Sequence, residues 1–107
     1  LHHAVEAQPI SLANNSAHHL YVVRVKYDEL GISRAAFQSE LMKMGIGSQV
    51  HYIPVPMQPY FRQLGHDINM YPISKEYYKE CLSLPVYYAL DRAEHGVIVR
   101  ALETLLS

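Results

Sequence analysis

His19-Leu20-Tyr21-Val22-Val23-Arg24-Val25-Lys26-Tyr27 is the stretch on which the reading of the fold turns. Side chains along a strand point alternately to opposite faces. Tyr21, Val23, Val25 and Tyr27 therefore share one wholly apolar face, while Leu20, Val22, Arg24 and Lys26 share one that turns polar towards its end. Such a pattern predicts a strand over 19–27 with one side on a core. Asp28-Glu29-Leu30-Gly31 then turns the chain. Ser33 is a good N-cap, because its hydroxyl can accept from an early helical amide. Phe37, Leu41 and Met44 follow at helical spacing, and Gly45 suits the left-handed stop, which predicts a helix over 34–44.

Further along, residues 47–53 read as a second strand, with Val50 and Tyr52 on one face and Gln49, His51 and Ile53 on the other. Pro54, Pro56 and Pro59 remove backbone donors and end it. A helical turn over 60–64 should stop at Gly65. Ser74 should cap a helix near 75–82 with Tyr78, Cys81 and Leu82 facing inward, followed by a short edge strand in Ser83-Leu84-Pro85. Asp91 and Glu94 form a capping signal for a last helix over 92–106, with Ile98, Ala101, Leu102 and Leu105 as its apolar stripe. These elements predict an α+β fold: a small, mainly antiparallel sheet with helices packed on one face. Residues 1–17 lack periodicity and contain Pro9, Asn14, Asn15 and Ser16, so they read as a linker or lead-in to a single domain at 18–107. With Leu1 in place of an initiator Met and His2-His3 resembling the remains of a tag, the expectation is a fragment.

Of the 107 residues, 50% are hydrophobic and 18% charged, which is globular composition and argues against overall disorder. Nine basic residues against ten acidic ones, for a formal net charge of −1, do not supply the basic face that nucleic acid demands. No apolar run approaches the ~18 residues of a membrane span. A single cysteine, Cys81, forbids an internal disulfide and fits a reducing compartment.

The densest chemical signal is His51-Tyr52-Ile53-Pro54-Val55-Pro56-Met57-Gln58-Pro59-Tyr60. It places an imidazole and two phenols where a strand opens into a proline-stiffened loop, the kind of place where sites are built. Each group can donate and accept hydrogen bonds, so His51, Tyr52 and Tyr60 are candidates for holding a sugar hydroxyl or a phosphate. The plainer account makes His51 a satisfied, half-buried histidine and the tyrosines core. Seven histidines do not make a zinc site: His2-His3 and His18-His19 are adjacent pairs, and no H-x3-H, C-x2-C or H-E-x-x-H occurs, so no metal site is expected. Cys81 occupies an apolar position beside Leu82 and reads as a buried, inert thiol. Met42 and Met44 read as core filling, and Lys75, Glu76, Lys79 and Glu80 as a solvated face. There is no dinucleotide-binding glycine motif, phosphate-binding loop or nucleophile elbow, and no catalytic residue is assigned.

Four stretches in order, Ser16-Ala17-His18-His19-Leu20-Tyr21-Val22-Val23, Gly45 to Pro54, Gln58-Pro59-Tyr60-Phe61 and Cys81-Leu82-Ser83-Leu84-Pro85-Val86, resemble the C-terminal part of the DegT/DnrJ/EryC1/StrS aminotransferases. The resemblance covers about residues 16–106. Within that family, Gly45 to Phe61 is most similar to the branch making the 4-amino precursor of pseudaminic acid and to spore-coat polysaccharide aminotransferases. Many members carry a second histidine five residues after the first; here that position is Pro56, so a role for that group does not transfer.

The resemblance implies the small C-terminal domain of a fold-type I enzyme, like aspartate aminotransferase. The full enzyme would use pyridoxal phosphate (PLP) to transfer an amino group, usually from glutamate, to a nucleotide-linked 4-keto-6-deoxy sugar for surface polysaccharide or glycan biosynthesis. It would be a cytoplasmic homodimer. No lysine here sits in the family's catalytic motif, so no cofactor-binding residue is assigned, and the fragment alone should be inactive and bind no PLP covalently. His51, Tyr52 and Tyr60 would be substrate-binding. A reading from a different class is a free-standing, non-catalytic small-molecule binding or regulatory module; a long open reading frame with an upstream lysine motif would decide against it.

Overall fold

The computed structural model describes residues 2–11 and 13–107. Strand β2, Tyr21–Val25, is the middle of a three-stranded antiparallel sheet, between β1, Val5–Ala7, and β3, Cys81–Leu84. Val5 lies opposite Val25, Ala7 opposite Val23, Leu82 opposite Val23 and Leu84 opposite Tyr21. Directly opposed residues share a face, so the apolar side expected for the 19–27 stretch gathers Val5, Val23, Val25 and Leu82, all buried. Short helix α1, Tyr27–Leu30, closes on Gly31 at φ 65°, and Tyr27 joins the same core.

Two helices supply the opposing layer. In α2, Arg34–Lys43, the Ser33 hydroxyl accepts from the Ala36 amide, and Phe37 and Leu41 are fully buried. In α5, Arg92–Leu106, the Asp91 carboxylate accepts from the Glu94 amide while the Glu94 carboxylate accepts from that of Asp91. Ala101 and Leu106 of α5 complete the cluster, flanked by Ile98, Leu102 and Leu105. Burying each large apolar side chain stabilises by roughly 1.5–3 kcal/mol, and the Tyr27 and Phe37 rings meet edge to face at 5.7 Å. The α+β expectation of a small antiparallel sheet with helices therefore holds.

Several local expectations are corrected. The lead-in at 1–17 contains β1, and Ala4 and Val5 are buried; three residues are too few to show a period, and pairing with β2 makes the strand. Leu1 and Leu12 of that stretch lie outside the described residues. The strand expected at 47–53 is irregular backbone, with one isolated bridge, Gln49 to Ser83. The helix expected at 75–82 is α4, Pro72–Glu80. It starts at Pro72, whose missing donor costs nothing at a first helical position. It stops before Cys81, because Cys81 and Leu82 are drawn into β3 against Arg24 and Val23. Arg24 fixes that junction by gripping Glu80, Nε at 2.8 Å and a terminal nitrogen at 2.6 Å from the same carboxylate oxygen.

From Tyr52 to Ile73 no residue is buried. This arm carries a single turn at Val55–Met57, helix α3 at Pro59–Gln63, the Gly65 stop at φ 91°, and another turn at Ile68–Met70. It is held by its own groups: His66 Nδ1 lies 2.9 Å from the Tyr71 hydroxyl, and Phe61 packs edge-on against His66. The radius of gyration is 15.6 Å, against about 13 Å for a compact chain of this length. The exposed surface is 7794 Å², roughly 1,700 Å² more than a compact monomer of this mass shows.

Candidate functional site

After α2 the chain reverses at Gly45, φ 80°, and Ile46 anchors it in the core. It then runs along the free edge of β3. The Gln49 amide donates to the Ser83 carbonyl at 3.1 Å, the Ser83 amide donates to the Gln49 carbonyl at 2.8 Å, and the Gln38 side chain donates to the Ser48 carbonyl at 3.2 Å. Those bonds deliver His51 to the sheet edge, where its Nδ1 lies 2.8 Å from the Ser83 hydroxyl. Ser83 is opposite Val22, and so on the sheet face away from Phe37 and Leu41. His51 is half-buried and Ser83 buried. Tyr52 stands edge-on to the His51 ring at 4.7 Å and is 69% exposed. Tyr60 belongs to α3 in the arm and packs on Phe61 at 5.2 Å, with 65% of its surface exposed. The fold thus brings His51 and Tyr52 together and carries Tyr60 out on the arm; neither tyrosine is core.

Cys81 is buried, which pushes its thiol up from the ordinary range; the neighbouring Arg34 guanidinium pulls the other way without cancelling the effect. Its Sγ–H donates to the Tyr78 carbonyl at 3.6 Å. A shielded, protonated thiol is a poor nucleophile. Arg34 also donates to the Tyr78 carbonyl and stacks over the Tyr78 ring, 4.7 Å from its centre. Burial also raises the Tyr27 phenol far above its usual range, and its hydroxyl has no hydrogen-bond partner among the described residues. No group of three His, Cys, Asp or Glu side chains comes together as metal ligands among the described residues. The site therefore offers hydrogen-bonding and aromatic surface without an activated nucleophile.

A family model described as the DegT/DnrJ/EryC1/StrS aminotransferase family matches residues 1–103. The chain belongs to that family. It is 33% identical over 92 residues to the spore coat polysaccharide biosynthesis protein SpsC of Bacillus subtilis, covering 84% of this chain and 24% of that protein. Among solved structures, Spr1654 of Streptococcus pneumoniae, described as a sugar aminotransferase and seen in its PMP form, superimposes with a TM-score of 0.82 at 28% identity. The match covers 95% of this chain and 26% of that one. PseC of Helicobacter pylori, an aminotransferase involved in the biosynthesis of pseudoaminic acid, shares the fold at 23% identity and a TM-score of 0.78, over 89% of this chain and 25% of its own. The chain thus spans about a quarter of the length of these relatives.

Membership in an aminotransferase family implies PLP, and the residues here can be tested against it. A lysine that binds PLP covalently needs an amine kept free of carboxylate partners in a shielded pocket. Lys26 pairs with Glu29, Lys43 with Glu40 and Lys79 with Asp28, and Lys75 donates to Asn69. All but Lys26 are exposed outright, and the Asp28 carboxylate raises the Lys79 ammonium above its usual range. The partner of His51 escaped sequence reasoning, because Ser83 is 32 residues away. The available signal was a lone hydroxyl in an otherwise apolar run, Cys81-Leu82-Ser83-Leu84.

Proposed function

We propose that this chain is the small C-terminal domain, residues 18–107 with β1 added to its sheet, of a PLP-dependent sugar aminotransferase. The substrate is a nucleotide-linked 4-keto-6-deoxy sugar, the donor is glutamate, and the product enters surface polysaccharide or glycan biosynthesis. The enzyme works as a cytoplasmic homodimer. The observation that carries this reading is the family match over residues 1–103, supported by the likeness to a sugar aminotransferase over 95% of the chain.

When bound, PLP supplies the electron sink for moving the amino group. On this reading the lysine that holds it, and the proton transfers that lysine performs, belong to parts of the protein beyond these residues. What this chain contributes is one wall of the cleft. His51, tethered to the sheet edge through Nδ1, turns Nε2 towards the substrate and donates to an oxygen of the sugar or diphosphate. Tyr52 and Tyr60 present exposed ring surface and hydroxyls along the same loop and arm, where they line the substrate path.

The complete protein, supplied with PLP, glutamate and a panel of UDP-, dTDP- and GDP-linked 4-keto-6-deoxy sugars, should convert at least one to an amino sugar; no turnover with any of them overturns the reading. Loss of one hydrogen bond to a charged group costs about 1.5–3 kcal/mol, so His51→Ala should lower kcat/KM by roughly ten- to a hundredfold, mainly through KM. PLP occupancy should stay unchanged. The 107-residue chain by itself should give no lysine adduct with PLP after borohydride reduction, and a stable stoichiometric adduct would contradict the assignment of the lysine elsewhere.

A further inference from the structure

We infer that Ser83 is the positioning residue for His51: its buried hydroxyl fixes which imidazole nitrogen faces the substrate and gives that nitrogen a hydrogen to donate. The inference rests on the substrate-binding reading of His51 and adds to it the proton arrangement and the residue that sets it.

Ser83 is 5% exposed, and the only hydrogen bond its hydroxyl makes among the described residues is with His51 Nδ1, at 2.8 Å. Two arrangements are conceivable. If Nδ1–H donated to Ser83, the hydroxyl hydrogen would be left buried without an acceptor, which is the unfavourable case for a buried polar group. If instead the Ser83 hydroxyl donates to Nδ1, its hydrogen is used and the imidazole must carry its own hydrogen on Nε2. The second arrangement leaves no orphaned donor.

Ser83 can do this because its backbone is pinned on both sides. Its backbone is held on one side by pairing in register with Val22, and on the other by the two-way bridge to Gln49. His51 is only two residues beyond Gln49, so the loop that brings the imidazole is pinned to the strand that carries its partner. The result is a ring of fixed orientation whose outer nitrogen is a donor, which matches an acceptor oxygen such as those of a sugar or a diphosphate. Tyr52 stands edge-on to the same ring at 4.7 Å.

The test is a mutant cycle in the complete enzyme, read as KM and kcat for the nucleotide sugar that it converts. Ser83→Ala removes one neutral hydrogen bond and should raise KM roughly three- to tenfold with kcat little changed. In a His51→Ala background the same change should alter KM by less than about twofold, since a residue acting through His51 has nothing left to position. His51→Gln, whose amide reaches the place of Nε2, should retain more affinity than His51→Asn, whose amide reaches only the place of Nδ1. A Ser83→Ala effect that persists undiminished without His51 would show a structural role and overturn the inference, as would Asn outperforming Gln. If His51→Ala itself leaves KM and kcat normal, it is the substrate-binding reading that falls.

Discussion

Phe37→Leu probes the core that positions every other group. Phe37 is fully buried on α2, and its ring meets Tyr27 edge to face at 5.7 Å. Replacing it with leucine removes apolar atoms from a fully buried site, and it deletes an aromatic pair worth ~0.5–1.5 kcal/mol. Together the loss should be about 2 kcal/mol, below the 3–5 kcal/mol of a full truncation to alanine. A chain of this size has about 5–15 kcal/mol in total, and the surplus exposed surface of this one places it at the low end. Urea unfolding followed by circular dichroism is the direct assay. With a slope near 2 kcal/mol per molar, the midpoint should fall by about 1 M while the slope stays constant. Tyr60→Ser is the matched control, because Tyr60 lies in an arm with no buried residue and should leave the midpoint within about 0.2 M. Equal shifts for the two variants would refute the separation of core and arm. So would a shift for Phe37→Leu below about 0.3 M.

Tyr27→Phe should stabilise the protein at neutral pH by about 1–2 kcal/mol, because it deletes a buried hydroxyl that has no partner among the described residues; a destabilisation in the same urea assay would mean that the hydroxyl is satisfied. The raised Tyr27 phenol adds a pH signature. The folded state holds its proton longer than the unfolded state, so stability is full below about pH 10, the ordinary tyrosine range, and falls as pH rises further. Tyr27→Phe should flatten that alkaline decline, and an unchanged decline would rule Tyr27 out as its source. Native Cys81 should react with a thiol reagent at pH 8 at least about tenfold more slowly than free cysteine, because it is buried and its thiol is pushed up; rapid stoichiometric labelling would show that it is accessible. Taken alone, the chain should self-associate at high concentration through the apolar groups of the arm and its surroundings, among them Tyr52, Leu64, Met70 and Ile73; sharp monomeric sedimentation together with strong amide protection over 54–73 would contradict this.

Most helix ends were legible from the sequence because their determinants are local, although Ser74, expected as a cap, lies inside α4. The Ser33 cap, the Asp91–Glu94 capping box, the glycine stops at Gly45 and Gly65 and the stripe from Phe37 to Leu41 all act over three or four residues, and each stands where spacing placed it. The alternation likewise named the buried face of β2, since a period of two needs only one strand to be seen, but the strand expected over 19–27 is Tyr21–Val25 and Tyr27 opens α1 instead. The hydrogen-bonding groups of the His51 loop, His51, Tyr52 and Tyr60, were visible as residue types. Strand partners were not legible, because a ladder bonds residues far apart. Val5–Ala7 is a strand only because β2 is there to receive it, and Cys81 and Leu82 suit a helix or a strand until Arg24 and Val23 claim them. Residues 47–53 have the alternation of a strand, yet among the described residues only Gln49 finds a ladder partner, in Ser83, before the chain leaves the sheet edge towards Pro54. The same long-range contact decides the site: His51 receives its orientation from a hydroxyl 32 residues away, and only the packing of the sheet brings the two within hydrogen-bonding distance.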